Sequence, residues 1–155
     1  HRIGKRKKFK LGKFSVKDIV LSPLKRIPLE EGDVLHGLKN SDQGFVDFGE
    51  SYFSIIKPNS IKGWKRHIKM TLNLIVPIGE VEFTFVDEIQ NSMKFIIGEK
   101  HYYRLTVPPG IWFAFKGIGE PFSLLNNIAD IEHDPNEVER CSLEDFKNYP
   151  LKKML

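Results

Sequence analysis

Glu80-Val81-Glu82-Phe83-Thr84-Phe85 alternates polar and apolar side chains without a break. A period of two belongs to a strand with one wet face and one dry face, so Val81, Phe83 and Phe85 are expected in a core. Outward from this stretch the same pattern returns. Tyr103, Leu105 and Val107 alternate up to the turn Pro108-Pro109-Gly110. Tyr52–Ile56, Leu72–Val76, Lys94–Ile97, Ile111–Phe115 and Phe122–Asn126 are further short apolar runs, with Gly, Pro or Asn between them. Short strands at a spacing of roughly 8–12 residues predict an all-β sandwich or barrel.

The two ends depart from this pattern. Near the start, Pro23 and Pro28 keep their neighbourhoods out of any central strand, because proline has no N–H for the ladder. Asp33, after Glu31-Gly32, is an expected N-cap for a short helix through Val34, Leu35 and Leu38. Near the other end, Asp134-Pro135-Asn136-Glu137 has an N-cap residue, proline at the first helical position and glutamate at the third. Ser142-Leu143-Glu144-Asp145 repeats the theme. Helical turns laid on the barrel are therefore expected at the C-terminus, ending in the solvated Lys152 and Lys153.

With 155 residues, 41% of them hydrophobic and 12 of them phenylalanine, the chain can fill one core and does not read as disordered. No apolar run approaches the ~20 residues that cross a bilayer as a helix. The lone Cys141 rules out an internal disulfide framework and suits a reducing cytoplasm, and no cleavable apolar leader is visible. The formal charge of +4 is unevenly spread. Seven of the 24 Lys and Arg fall within residues 1–13, leaving 17 against 20 Asp and Glu, a net of −3 for the body. The plan is thus a basic, poorly ordered arm at 1–13 and a single domain at 14–155. Basicity confined to an arm makes nucleic acid an unlikely partner for the fold itself.

The densest chemistry lies in Ile61-Lys62-Gly63-Trp64-Lys65-Arg66-His67-Ile68-Lys69-Met70-Thr71-Leu72-Asn73. On a strand, Lys65, His67 and Lys69 would share one face, and Trp64 and Arg66 the other. A histidine between two lysines suits the handling of an anion or oxyanion. The plain alternative is a solvated edge strand whose lysines discourage stray pairing.

This stretch, the Val107-Pro108-Pro109-Gly110 turn and Ile131-Glu132-His133-Asp134-Pro135 come in an order and spacing that resemble a known family. It is that of the cupin-fold dTDP-4-dehydrorhamnose 3,5-epimerases and the related dTDP-sugar 3,4-ketoisomerases, with the likeness running from about Gly49 to Glu139. The resemblance implies a cupin, a double-stranded β-helix or jelly-roll barrel, acting on a nucleotide-linked 4-keto-6-deoxy sugar for surface polysaccharide, as a homodimer. The departures are specific. Lys62 stands where the epimerases carry the arginine of Arg-Gly-x-His, and Lys65 where they carry its histidine. His67 takes the place of the ketoisomerases' second histidine. Phe113 replaces a histidine after the Pro-Pro-Gly turn, and no tyrosine stands near Asn126 or Asn127, where the epimerases keep their catalytic one. Asp134 matches the aspartate that partners the family's histidine. Metal-binding cupins place ligands where Lys65 and Phe113 stand, and a protonated lysine repels a divalent cation, so the expected site has neither metal nor cofactor.

Proton abstraction beside a ketone needs a base, a cation for the enolate oxygen and an acid for the opposite face. His67 suits the base, because imidazole titrates near neutrality. Lys65 or Lys69 suits the enolate, Asp134 would orient the ring, and Tyr52, Tyr102 and Tyr103 are the available acids. Trp64, Trp112 and Phe113 would stack on a base or sugar ring, with Arg66 or Lys62 on the diphosphate. Asn73 and Asn126 would serve a ligand hydroxyl or a backbone group. Loss of the tyrosine and of one histidine leaves a second reading open, a silent cupin that binds a sugar or nucleotide sugar without turning it over.

Overall fold

The computed structural model describes residues 14–146; the basic arm at 1–13, Lys152 and Lys153 lie outside the described residues. After a 3-10 turn at Val16–Asp18 the strands run β1 (Val20–Pro23), β2 (Arg26–Ile27), β3 (Val34–Leu35), β4 (Glu50–Ile56), β5 (Ile61–His67) and β6 (Leu72–Ile78). They continue as β7 (Glu80–Val86), β8 (Ser92–Gly98), β9 (Tyr103–Val107), β10 (Trp112–Gly117) and β11 (Ser123–Ala129). A 3-10 turn at Pro135–Glu137 then leads into β12 (Val138–Arg140).

Ten of these strands form two five-stranded sheets, ordered β1-β9-β6-β11-β4 and β12-β5-β10-β7-β8, while β2 and β3 pair as a small hairpin. Every pairing is antiparallel, and most neighbours are distant in sequence. Two antiparallel sheets wound in this crossed order make the jelly roll of the cupin fold. The inner faces supply the core. Val81, Phe83 and Phe85 of β7 meet Leu72, Leu74, Val76, Leu105 and Leu125 of the other sheet, all buried. Burying each such side chain contributes about 1.5–3 kcal/mol, and Phe83, Phe85, Phe113 and Phe115 knit that side through ring contacts.

Strand β6 is buried on both faces. Its outer face lies under residues 37–44, and there Asn73 joins a polar network. Asn73 Oδ1 accepts from Arg104 Nε at 3.0 Å and Thr106 Oγ1 at 2.6 Å, and its Nδ2 donates to Gly44 O. Arg104 also donates to Gly37 O and Gln43 O, which fastens the covering segment down.

Two expectations at the ends are corrected. The segment after Asp33 is not helical: Val34 and Leu35 pair with Ile27 and Arg26. Asp33 is drawn toward Arg26, 3.4 Å away, and the turn before it uses Gly32 at φ +135°. The helical reading of the C-terminal segment holds only as a 3-10 turn at Pro135–Glu137 and a turn at residues 143–146. Between them the chain is extended, because Val138, Glu139 and Arg140 find a free edge on β5.

Candidate active site

The β5 strand does not alternate evenly. Its register with β10 pairs Phe113 with Lys65, Ala114 with Gly63 and Phe115 with Lys62, so Trp64 is an extra residue in a bulge. Gly63 makes the bulge possible. Its φ is +150°, and a Cβ there would sit 2.5 Å from the Ala114 Cβ. The bulge places Lys62, Lys65 and His67 on the side of the buried Phe113 and Phe115, with Trp64 and Arg66 turned outward.

His67 is buried, with 6% of its surface exposed. Gly110 N donates to its carbonyl at 2.7 Å, so the Pro-Pro-Gly turn pins the backbone that carries the ring. Its Nδ1 hydrogen-bonds Glu137 Oε1, on a carboxylate that is itself 3% exposed. The other oxygen, Glu137 Oε2, accepts from the backbone N–H of Lys69 and of Met70, both at 3.1 Å. Three donors hold this carboxylate in place. A carboxylate at Nδ1 fixes the tautomer with the proton on that nitrogen and leaves a lone pair on Nε2. That Nε2 is buried and has no hydrogen-bond partner among the described residues. Burial lowers the His67 pKa, against the pull of Glu137 and with the push of Lys65 and Arg140. The ring is therefore a neutral base with its basic nitrogen free.

The expected partner for this ring is corrected. Asp134 caps the 3-10 turn, accepting from Asn136 N at 2.9 Å, and is exposed; Glu137, three residues on, takes the place beside His67. A capping aspartate has its oxygen committed to the turn, and the turn swings the next carboxylate inward.

Lys65 stands over the Phe113 ring, 5.6 Å from its centroid, and the same ring lies 6.3 Å from that of His67. Burial first, then Arg140, lowers the Lys65 pKa. Arg140 is its opposite number across the β5–β12 ladder. Lys65, Lys62 and Arg140 line a cleft of about 520 Å³ together with Ser54 and Ser142, within the size range of small-molecule sites. Lys62 spans it, its Nζ donating to Ile55 O.

The phenol missing from β11 has a counterpart one strand away. Tyr52 on β4 sits directly opposite Asn127. Burial raises its pKa, Glu50 adds to the rise and Arg140 opposes it. Of the other two candidate tyrosines, Tyr102 gives its hydroxyl to His36 O outside the barrel, and Tyr103 packs against the core.

The remaining candidates are not brought to His67. Lys69 lies past the end of β5, where alternation stops, and its exposed side chain leaves only its N–H in the site. Trp64 stacks on Phe146 at 3.9 Å, and Trp112 meets the same ring edge-on. Arg66 is held by Glu139 and Glu88 over Trp112. Asn73 belongs to the Arg104 network, and Asn126 faces out to Ser51. Phe113 is a buried wall beneath Lys65 rather than a stacking surface. Arg140 and Glu137 escaped sequence reasoning because both fall in a segment read as helix; the one available signal was their charge in a run that closes on the family's last motif.

The jelly roll of this cupin thus places a carboxylate-backed imidazole beside a cationic cleft. No family model matches the chain. It is 31% identical over 107 residues to a probable low-salt glycan biosynthesis epimerase of Haloferax volcanii, covering 62% of this chain and 68% of that protein. Its fold matches the crystal structure of a dTDP-sugar isomerase of Desulfovibrio desulfuricans with TM-score 0.78 and 35% identity, over 86% of this chain and 88% of the other. A sugar 3,4-ketoisomerase of Thermoanaerobacterium thermosaccharolyticum, solved with TDP, matches in fold at TM-score 0.70 and 18% identity, over 90% and 99% of the two chains. The chain belongs to the family of cupin-fold dTDP-sugar isomerases and dTDP-4-dehydrorhamnose 3,5-epimerases.

Proposed function

We propose that this enzyme epimerises or isomerises a nucleotide-linked 4-keto-6-deoxy sugar that serves as a precursor of surface polysaccharide. The observation that carries the reading is the buried His67 Nε2, unpartnered among the described residues while Glu137 holds the other ring nitrogen. A buried acceptor left without a donor is costly in a binding-only protein and useful in one that must take a proton.

In this reading Nε2 removes the proton from the carbon beside the ketone. The C–H electrons form the C=C bond, and the carbonyl electrons move onto oxygen. The Lys65 ammonium stabilises the resulting enolate, and Glu137 stabilises the imidazolium. Tyr52 delivers a proton from the other side of the ring, and solvent restores both groups. The Haloferax relative's name supports the glycan setting. A homodimer is part of the proposal, supported by the exposed Phe53 and Ile55 on the edge strand β4, with Phe48 beside them. Cytoplasmic placement rests on the single free cysteine, Cys141. Among the described residues, no helix is long and apolar enough to cross a membrane.

The test is deuterium wash-in. In D2O, dTDP-4-keto-6-deoxyglucose should gain mass at a carbon next to the ketone with the wild-type chain and not with His67→Ala, whose melting curve should stay cooperative. Equal exchange in the two proteins would refute His67 as base. No exchange by the wild type with this or any other 4-keto nucleotide sugar would refute the reaction.

A further inference from the structure

Three asparagines stand on strands of the described residues, and two of them have partners. Asn73 serves the Arg104 network, and Asn126 donates to Ser51 on the outer surface. Asn127 is different. Its side chain makes no hydrogen bond among the described residues, although only 4% of the residue is exposed. Burial alternates along β11, where Ser123, Leu125, Asn127 and Ala129 are the buried set, so the carboxamide points to the inside of the barrel. Leu125 precedes it on that face, and Leu74 is its opposite number on β6. A leucine would fill such a place without cost, whereas an amide left unpaired there is unfavourable. Packing therefore does not account for the asparagine.

The position does. Across the β4 ladder Asn127 faces Tyr52, and Ser54, two residues along the same face of β4, lines the cationic cleft. Across β6, Ala129 pairs with Leu72, which begins the strand that follows His67 after a short turn. The amide thus lies at the His67 end of the barrel. Charge links the same groups, since Arg140 acts on Tyr52, Lys65 and His67 alike. Asn127 stands beside the phenol, on the sheet opposite the imidazole.

We propose that Asn127 is a specificity-determining residue that hydrogen-bonds a ring hydroxyl of the sugar on the side away from His67. The inference rests on the reaction proposed above and says which sugars the site accepts. A carboxamide offers an acceptor oxygen and two N–H donors, and a hydroxyl can meet either. The bond holds the ring between imidazole and phenol. A sugar without that hydroxyl leaves the amide bare in an apolar wall, and a site built around such a bond rejects the analogue that lacks it.

Wash-in kinetics with dTDP-4-keto-6-deoxyglucose and with its 2-deoxy and 3-deoxy analogues test this, using the wild type, Asn127→Leu and Asn127→Ala. In kcat/KM the wild type should prefer the full sugar to one of the analogues by about 10- to 100-fold. In Asn127→Leu the preference should vanish, because the full sugar slows by that factor and the analogue does not, while the Tm holds or rises. Asn127→Ala, which adds no bulk, should lose the preference too and covers the case of a leucine that does not fit. A preference within twofold of the wild-type value in either folded variant would overturn the inference, and a lower Tm beside it would make Asn127 a packing residue. A wild type that exchanges all three sugars equally would also overturn it and leave the reaction standing. A wild type that exchanges none of them fails the reaction itself, and the inference with it.

Discussion

Glu137→Gln changes one carboxylate oxygen for an amide nitrogen at nearly constant shape, and the structure fixes which way the new group must turn. One oxygen of Glu137 receives two backbone N–H donors, from Lys69 and Met70. An amide NH2 on that side would meet two donors, so the glutamine oxygen takes it and the NH2 faces His67 Nδ1. That nitrogen must then accept, and the ring proton moves to Nε2, where the lone pair was needed. In hydrolases with a comparable pair, the wrong tautomer costs about 10⁴ in kcat, so a loss of about 10³–10⁴ is expected here. The fold suffers less. Three charge-assisted bonds become neutral ones, a cost of about 2–3 kcal/mol, or about 4–12 °C in Tm for a chain of this size. Stopped-time deuterium wash-in at saturating sugar, beside a thermal melt, reads both quantities. Turnover within tenfold of wild type in a folded Glu137→Gln protein would refute the reasoning, because the pair would then not set the state of the base.

Tyr52→Phe should keep the melt unchanged and cut epimerisation about 10²–10⁴-fold, while wash-in at the carbon deprotonated by His67 persists; equal loss of both would assign Tyr52 elsewhere. Asn73→Ala should destabilise the chain by about 3 kcal/mol or more, since it strips two donors of their shared acceptor beside the buried Arg104. Its turnover per folded molecule should stay near wild type, and a selective loss of kcat would return Asn73 to the site. The kcat/KM profile should be a bell. Its acid limb lies below about 6.5, because burial lowers the His67 pKa, and its alkaline limb below the ordinary lysine range, because burial and Arg140 lower that of Lys65. Lys62 and Arg140 press the Lys65 value down and Glu137 holds it up, so Arg140→Gln should move both limbs to higher pH; a downward shift would contradict this assignment. Because folding lowers the His67 value, the unfolded chain binds the extra proton, and stability should fall as pH drops below about 6.5.

The barrel was legible because its strands obey one rule. Val81, Phe83 and Phe85 alternate, and all three are buried to nothing. The site was legible where a strand carried it, at Lys65 and His67, and illegible where the rule broke. The bulge at Gly63 and Trp64 brings Lys62 onto the inner face, and only the Ala114 backbone opposite explains the need for glycine. Asn73 read as an amide needing either a ligand hydroxyl or a backbone group, and the backbone alternative holds: residues 37–44 cover its face and Gly44 O takes its Nδ2 donor. At the C-terminal end, local capping signals were real, but the open edge of β5 outweighed them after one turn, hiding Arg140 and moving the carboxylate from Asp134 to Glu137. Short-range preferences lose to a ladder that only the assembled barrel provides.

The separation of 70 positions from His67 to Glu137 has a consequence for synthesis. A ribosome that has made the barrel through β11 has made a ring with nothing behind it, its proton free to sit on either nitrogen and its strand edge still bare. Only when the last described strand arrives do both defects vanish together. A nascent chain cut short there would hold its shape in large part and do no chemistry, so the enzyme begins work only once Glu137 and β12 have been made.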